Sequence, residues 1–235
     1  VSANLGMSYS SGNVLLEAGI ENILRWLPFE ASPDDIADRI CTKLINPTTL
    51  PSTVTDLQIE HALATEALRL AFDRHKEVAT VPPKDLPAWK SLMGQTQVVV
   101  AQPETRTILD IGSIDMIIGS GGVLSHAPSR AQAALIMLNA FCPTGVTYLA
   151  VDSIFMMPHL GVLAEIDPEA ALNVLEKDCF IPLGPVVAVD GAPPLGAPVV
   201  TVRCRDSQGV TSEATVRGGS IHVIPTPWPG EVTVE

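Results

Sequence analysis

Cations are scarce in this chain. Its 235 residues hold 14 Lys and Arg against 26 Asp and Glu, a formal charge of −12, which opposes any role that needs a polyphosphate backbone neutralised. Nucleic acid is excluded as the main partner. No apolar run reaches the ~18 residues that a membrane-spanning helix requires. Cys41, Cys142, Cys179 and Cys204 are widely spaced with no C-x-x-C pair, which argues against a disulfide framework and for a reducing cytoplasm. His61, His75, His126, His159 and His222 are scattered, without metal-ligand spacing, so no metal site is expected. No repeat of ~20–50 residues marks a solenoid or propeller. What the chain has instead is apolar material, 46% of its residues, enough for a folded core.

Periodicity divides the chain into three parts. Leu16, Ile20, Ile23, Leu24 and Leu27 trace one helical face that Pro28 ends. Ser32-Pro33 followed by Asp34 and Asp35 opens a second helix running to about Leu44. Thr55-Asp56-Leu57-Gln58 reads as a capping box for a long helix to about Lys76. After a proline-rich loop over Thr80–Pro87, Val98-Val99-Val100 and Asp115–Gly119 read as strands. A helix over Pro128–Asn139 follows, with Ala131, Leu135 and Leu138 on one face. Next come a strand over Val146–Val151 and helices around Leu160–Ala164 and from Asp167 to about Lys177. Cys142 and Cys179 lie in apolar surroundings that suit buried thiols. Short strands are predicted at Val199–Arg203, Ala214–Val216, Ile221–Ile224 and Val232–Val234, with turns at Gln208-Gly209 and Gly218-Gly219. The expected organisation is a helical subdomain over 1–95, an α/β part over 96–190 and a small β module over 191–235.

One segment carries chemistry: Ile117-Ile118-Gly119-Ser120-Gly121-Gly122-Val123-Leu124-Ser125-His126-Ala127-Pro128. Glycines between a buried strand and a helix start let the backbone take positive φ and approach a flat or anionic ligand, so a nucleotide or phosphate is favoured. The same glycines also serve a turn that merely packs tightly. A P-loop would need Lys-Ser/Thr after the last glycine, and a dinucleotide fingerprint would need G-x-G-x-x-G; Val123, Leu124 and Ser125 stand in those places. Gly119-Ser120-Gly121 also lacks the spacing of a hydrolase nucleophile elbow.

The run Asp115–Pro128 resembles the adenosine motif of actin-like, heat-shock-chaperone-like and sugar-kinase-like ATPases. More narrowly, it resembles the GlmL type, or MutL family, of accessory proteins to adenosylcobalamin-dependent glutamate mutase and amino-acid aminomutases, a family distinct from the mismatch-repair protein of that name. Asn4-Leu5-Gly6-Met7 with Glu17–Asn22, Met157–Leu163, and Asp178-Cys179 leading to Leu183-Gly184 agree with it. The resemblance implies an α/β lobe of the actin-like ATPase (ribonuclease H-like) superfold, with a helical subdomain and a small C-terminal β module. It further implies ATP or ADP with Mg²⁺ in the full-length protein, adenosylcobalamin belonging to a partner mutase, and ATP hydrolysis used to release damaged cofactor from that mutase. Gly119, Ser120, Gly121 and Gly122 are the implied adenine and ribose contacts, with Val123 and Ser125 next to them.

The phosphate loops of that family are absent here. Asp110-Ile111-Gly112-Ser113 imitates one in letters but reads as a turn. Val1-Ser2-Ala3-Asn4 has the look of a cut edge, so an N-terminal ATPase lobe is expected outside this sequence; the chain alone is then expected to lack ATPase activity and to hold no catalytic residue. A homodimer is left open. Several residues keep two readings. Ser125 serves either a ligand or a helix cap; His126 either approaches a ligand or packs; Glu66 and Arg69, one helical turn apart, either hold the far side of the adenine or form a solvated ion pair. Two rival functions also stand: a metabolite kinase of the same superfold with Asp152 as base, and an interaction module whose glycine turn is structural.

Overall fold

The computed structural model describes residues 4–81, 106–107, 109–225 and 230–234. These form a mixed α/β structure of helices and small sheets in two compact units, one comprising 1–142 and 148–184, the other 143–147 and 185–235. Val98–Val100 and the expected boundary at residues 95 and 96 lie outside the described residues.

The first unit begins with four helices: α1 (Ser11–Ala18), α2 (Ile20–Leu24), α3 (Pro33–Ile45) and α4 (Val54–Val78). The single helix expected up to Leu27 is two. Gly19, at φ +76°, breaks it, so Leu16 stays 82% exposed while Val14, Ala18 and Ile23 enter the core. Those three meet Ile36 and Ile40 of α3 and Ile59, Ala62, Leu63 and Ala67 of α4 in one apolar cluster. The capping box of α4 sits two residues before the predicted one. Thr53 Oγ1 accepts from the Asp56 N–H and Asp56 Oδ2 from the Thr53 N–H, both at 3.1 Å, which places Thr55 inside the first turn. Beyond α4, β1 (Thr80–Val81) pairs antiparallel with β2 (Arg106–Thr107).

The α/β part follows. β3 (Met116–Gly119) runs parallel to β4 (Gly145–Asp152), with Gly119 opposite Val151. Between them lie a one-turn helix, α5 (Gly122–Ser125), and the longer α6 (Arg130–Phe141). The long helix starts later than Pro128, at the cap Ser129, because Ser129 and Gln132 form a second capping box. Its buried face is Ala133, Ile136, Met137 and Ala140, not Ala131, Leu135 and Leu138; α4 packs against this helix, and the Phe72 and Phe141 rings meet edge-on at 5.3 Å. Small alanines let the backbone come close. Cys142, expected to be buried, is exposed at the left-handed end of α6, whereas Cys179 is fully buried. Helices α7 (Met157–Ala164) and α8 (Pro168–Val174) lead through a π turn, Leu175–Cys179, into β5 (Phe180–Ala188). That last strand was not legible through Pro182, Gly184 and Pro185. It completes the sheet order β3-β4-β5 and so lies at an edge, where a residue without an N–H is tolerated.

The second unit carries an antiparallel sheet of order β7-β6-β8, from β6 (Pro198–Asp206), β7 (Thr211–Arg217) and β8 (Gly230–Val234). Asp206 Oδ1 accepts from the N–H groups of Gln208 and Val210, 2.9 and 2.8 Å, which closes the turn predicted at Gln208-Gly209. Gly218 has its Cα against the Pro194 carbonyl, where a Cβ would come within 2.2 Å, so the second glycine turn is also real. Ile221–Ile224 is not a strand. The edge of β6 available to it pairs with β8, and Ile221 and Val223 stay exposed.

Candidate functional site

The glycine turn begins where β3 ends. Gly119 is buried and faces inward: a Cβ there would stand 2.8 Å from both Leu124 Cδ1 and Met137 Sδ. Its role is to let α5 and α6 close over the strand end, which makes it support for the turn rather than a contact surface. Ser120 is exposed. Gly121, at φ +107° and ψ 156°, occupies a backbone region that only glycine enters without strain. Among the described residues nothing lies within 4 Å of where a Cβ of Gly121 or Gly122 would be. The outer face of the bend is therefore bare backbone beside one hydroxyl, with half-buried Val123 next to it.

The turn does not open a long helix, as its sequence suggests. Only one helical turn starts at Gly122, and the chain bends again at His126 before α6. A helix dipole strong enough to favour a phosphate is consequently lacking at the glycines. Ser125 is neither cap nor surface contact. It is buried, its hydroxyl donates to the Asp152 carbonyl, and its own carbonyl accepts from Arg130 Nη1 at 3.1 Å. His126 is exposed, with Nδ1 3.1 Å from the Gly122 carbonyl. Asp110–Ser113 forms a local turn in which Asp110 Oδ1 accepts from the Gly112 N–H and Ser113 Oγ donates to the Asp110 carbonyl, as expected of a turn.

Asp152 holds this region together. It stands at the end of β4 and is wholly buried. Its Oδ2 accepts from Ser120 Oγ at 3.2 Å and the Met157 N–H at 3.0 Å, and its Oδ1 from the N–H groups of Met156 at 3.1 Å and Ile154 at 3.4 Å. Burial works to raise the carboxyl, but the bonds from Met157, Met156, Ser120 and Ile154 outweigh it and hold the group below the usual Asp range. An acid with its lone pairs so engaged is a poor general base, which removes the kinase role considered for it. The same charge, after burial itself, pushes the fully buried Cys179 thiol upward. In the segment that Asp152 ties down, Phe155 is half-exposed at φ +59°, a conformation that aromatic residues rarely take.

Glu66 and Arg69 belong to a different network. Glu66 is fully buried; Oε1 accepts from Arg25 Nη2 at 2.7 Å and Trp26 Nε1 at 2.6 Å, and Oε2 from Arg69 Nε and Nη2 at 2.9 and 2.7 Å. Arg69 continues to Asp73, 3.0 Å. This clamp joins the residues just after α2 to α4 around a buried carboxylate, which neither of the two readings foresaw, and Glu66 has no surface left for a ligand. Burial raises the Glu66 carboxyl, and the bonds from Arg69, Trp26 and Arg25 overcome it, so the group lies below its ordinary value.

The structure thus joins Ser120 and Ser125 to Asp152 and sets Glu66 with Arg69 apart. Asp152 was offered by the sequence only as a base; the legible signal for its actual role is an acid directly after an apolar strand. A separate cavity of about 250 Å³ lies between α3 and α4, floored by Ile40, Ile59 and Leu63 and walled by the Lys43–Glu60 ion pair. It touches none of the glycine turn.

Among the described residues no helix is long and apolar enough to cross a membrane. No curated protein and no solved structure matches the chain. A family model described as MutL protein matches residues 1–179, all of the helices and the glycine turn included. That span is most of the chain, and the chain accordingly belongs to the MutL family, the GlmL-like family of glutamate mutase accessory proteins.

Proposed function

We propose that this chain supplies the nucleoside-holding half of an ATP-dependent accessory factor that services a cobalamin-dependent mutase in the cytoplasm. The observation that carries the reading is the open bend at Ser120–Gly122, where the backbone is bare and unobstructed at the end of a parallel strand. A flat base and a sugar need such a surface. Family membership supports the mutase as the protein served. Ser120, Gly121 and Gly122 form the seat, Val123 borders it, and Gly119 and Ser125 hold it from behind.

The residues present fit a neutral base and sugar better than a metal–triphosphate. The carboxylate beside the turn, Asp152, is buried and its oxygens already accept from N–H and O–H donors, so it is not free to ligate Mg²⁺. In this reading the phosphates and Mg²⁺ are held by a second lobe with the actin-like arrangement, and hydrolysis is coupled to the partner through closure of the two lobes. When bound, ATP supplies the free energy of phosphoryl transfer; the residues described here bind and orient the nucleoside.

Calorimetric titration of the protein at its natural full length with ADP and adenosine tests the seat. Saturable binding of both is expected, with Gly121→Val lowering it at least tenfold at unchanged circular dichroism. A pull-down of the cobalamin mutase with and without ATP tests the partner. Absence of nucleoside binding by well-folded protein would sink the reading and leave the interaction-module alternative in its place.

A further inference from the structure

We infer that Asp152 is a positioning residue that turns the Ser120 oxygen outward as a hydrogen-bond acceptor, so that the glycine turn takes a neutral group bearing N–H or O–H donors and rejects a phosphate. This deepens the nucleoside reading and rests on it.

The argument is one of hydrogen counting. A hydroxyl has a single hydrogen to donate and lone pairs to accept with, whereas an ionised carboxylate only accepts. Ser120 Oγ and Asp152 Oδ2 are 3.2 Å apart, so the hydrogen lies on the serine and points inward. Asp152 cannot swing to release it. The N–H groups of Met156 and Met157 each hold one of its two oxygens, and the group has no exposed surface. Those same bonds keep it ionised at neutral pH. Ser120, being exposed, therefore presents lone pairs to whatever lies on the turn. Ser125 donates to the carbonyl of the same aspartate, so one residue grips the turn at both ends.

The consequence for specificity is electrostatic. A ligand donor over Ser120 completes a chain of hydrogen bonds that ends on a buried charge, the kind that polarises favourably. An anionic oxygen in that place would face lone pairs with a negative charge directly behind them. The glycines look like a phosphate loop in letters, but the residue beneath them reverses the polarity of the seat.

The test uses the full-length protein and compares adenosine with two analogues, 6-chloropurine riboside, which lacks the exocyclic amine donor, and 2′,3′-dideoxyadenosine, which lacks the 2′- and 3′-hydroxyl donors. Wild-type protein is expected to bind at least one analogue about tenfold more weakly than adenosine, the weight of one lost hydrogen bond to a site left unpaired. Ser120→Ala should shrink that gap to about twofold or less, and Ser120→Thr, which keeps the hydroxyl, should preserve it. Asp152→Asn should erase the gap as the alanine does; should that variant fail to fold, the Ser120 pair decides alone. A merely structural aspartate would leave the ratio untouched. A gap that survives Ser120→Ala, or inorganic phosphate that competes with adenosine for wild type and loses affinity in Ser120→Ala, overturns the inference while leaving nucleoside binding in place. Wild-type protein that binds no adenosine overturns the nucleoside reading itself.

Discussion

Two carboxylates in the first unit are equally buried and are satisfied in opposite ways. Glu66 meets two guanidinium groups, from Arg25 and Arg69, and an indole N–H; Asp152 meets backbone N–H groups and a hydroxyl, all neutral. Glu66 is part of a charge-balanced clamp that fastens the residues just after α2 to α4, the helix that carries Ile59, Ala62, Leu63 and Ala67 into the apolar cluster. Among the described residues Asp152 has no counter-cation, and its negative charge reaches the neighbourhood of the glycine turn. The first arrangement stores stability, the second sets the polarity of a surface. Helix against helix needs only a fixed distance, whereas a ligand seat needs a defined sign.

The largest expected effect follows from removing the clamp. Glu66→Ala strands the Trp26 indole N–H and leaves Arg25 and Arg69 without their shared acceptor, at a cost of about 3 kcal/mol in urea unfolding, in the range found when one partner of a buried pair is deleted. Asp152→Asn should cost less, about 2 kcal/mol, because the amide keeps one oxygen, which still accepts from the Met156 N–H, and strands only the Met157 N–H, whereas Glu66→Ala removes every acceptor of its clamp. It should nevertheless lower nucleoside binding, which Glu66→Ala leaves unchanged at temperatures where that variant is folded. If Asp152→Asn proves the more destabilising and Glu66→Ala the one that loses binding, the contrast between clamp and seat is wrong.

A smaller effect separates two glycines of the turn. Gly121→Ala meets no atom, so its penalty is purely that of an L-residue at φ +107°, roughly 2 kcal/mol. Gly119→Ala keeps an ordinary strand backbone but drives a methyl into Leu124 and Met137. Both are the ends of flexible side chains that can give, so about 1 kcal/mol is expected from overpacking. Thermal melts rank the two, and adenosine titration sharpens the result: binding should fall in Gly121→Ala and hold in Gly119→Ala, since only the first residue lies on the open face.

How much of this was legible in the sequence depends on how local its cause is. The helix starts at Pro33 and Pro168, the turn at Gln208-Gly209 and the strand before the glycines follow from neighbouring residues, and they were readable. The break at Gly19 was not, because the apolar spacing on either side of it also suits one continuous helix. β5 was hidden by prolines that an edge position tolerates, and Ile221–Ile224 reads as strand until β8 occupies the free side of β6. At the site, the glycines announced themselves. The i, i+3 spacing of Glu66 and Arg69 was equally visible, but Arg25 and Trp26, some forty residues away in sequence, make it a core clamp. Asp152 likewise reaches Ser120 only through the pairing of β3 with β4, a contact that no spacing along the chain reveals.

The smallest effect concerns pH and distinguishes these acids from a third group. Both Glu66 and Asp152 lie below their ordinary values in the fold, so the unfolded chain binds protons more readily than the native one in acid. Their stabilisation is complete above the unfolded carboxylate range near pH 4 and is lost as the pH falls through the native values. His61 behaves as a base pushed the same way: burial lowers it, with the charge of Glu60 opposing, and its buried Nε2 has no hydrogen-bond partner among the described residues. Protonating it is harder in the native state, so its contribution is present above the free imidazole value near 6.5 and fades as the pH drops below that. Between about pH 5.5 and 6.5 the two carboxylates are nearly all charged in both states, and of the three the histidine dominates the titration. Stability measured by urea unfolding should therefore decline gently across that interval in the wild type, and His61→Gln should flatten the decline without altering the steeper loss below pH 4. An unchanged slope in that variant would mean that the ring is hydrated in the native state, and the acid response would then belong to the carboxylates, the capping Asp56 included.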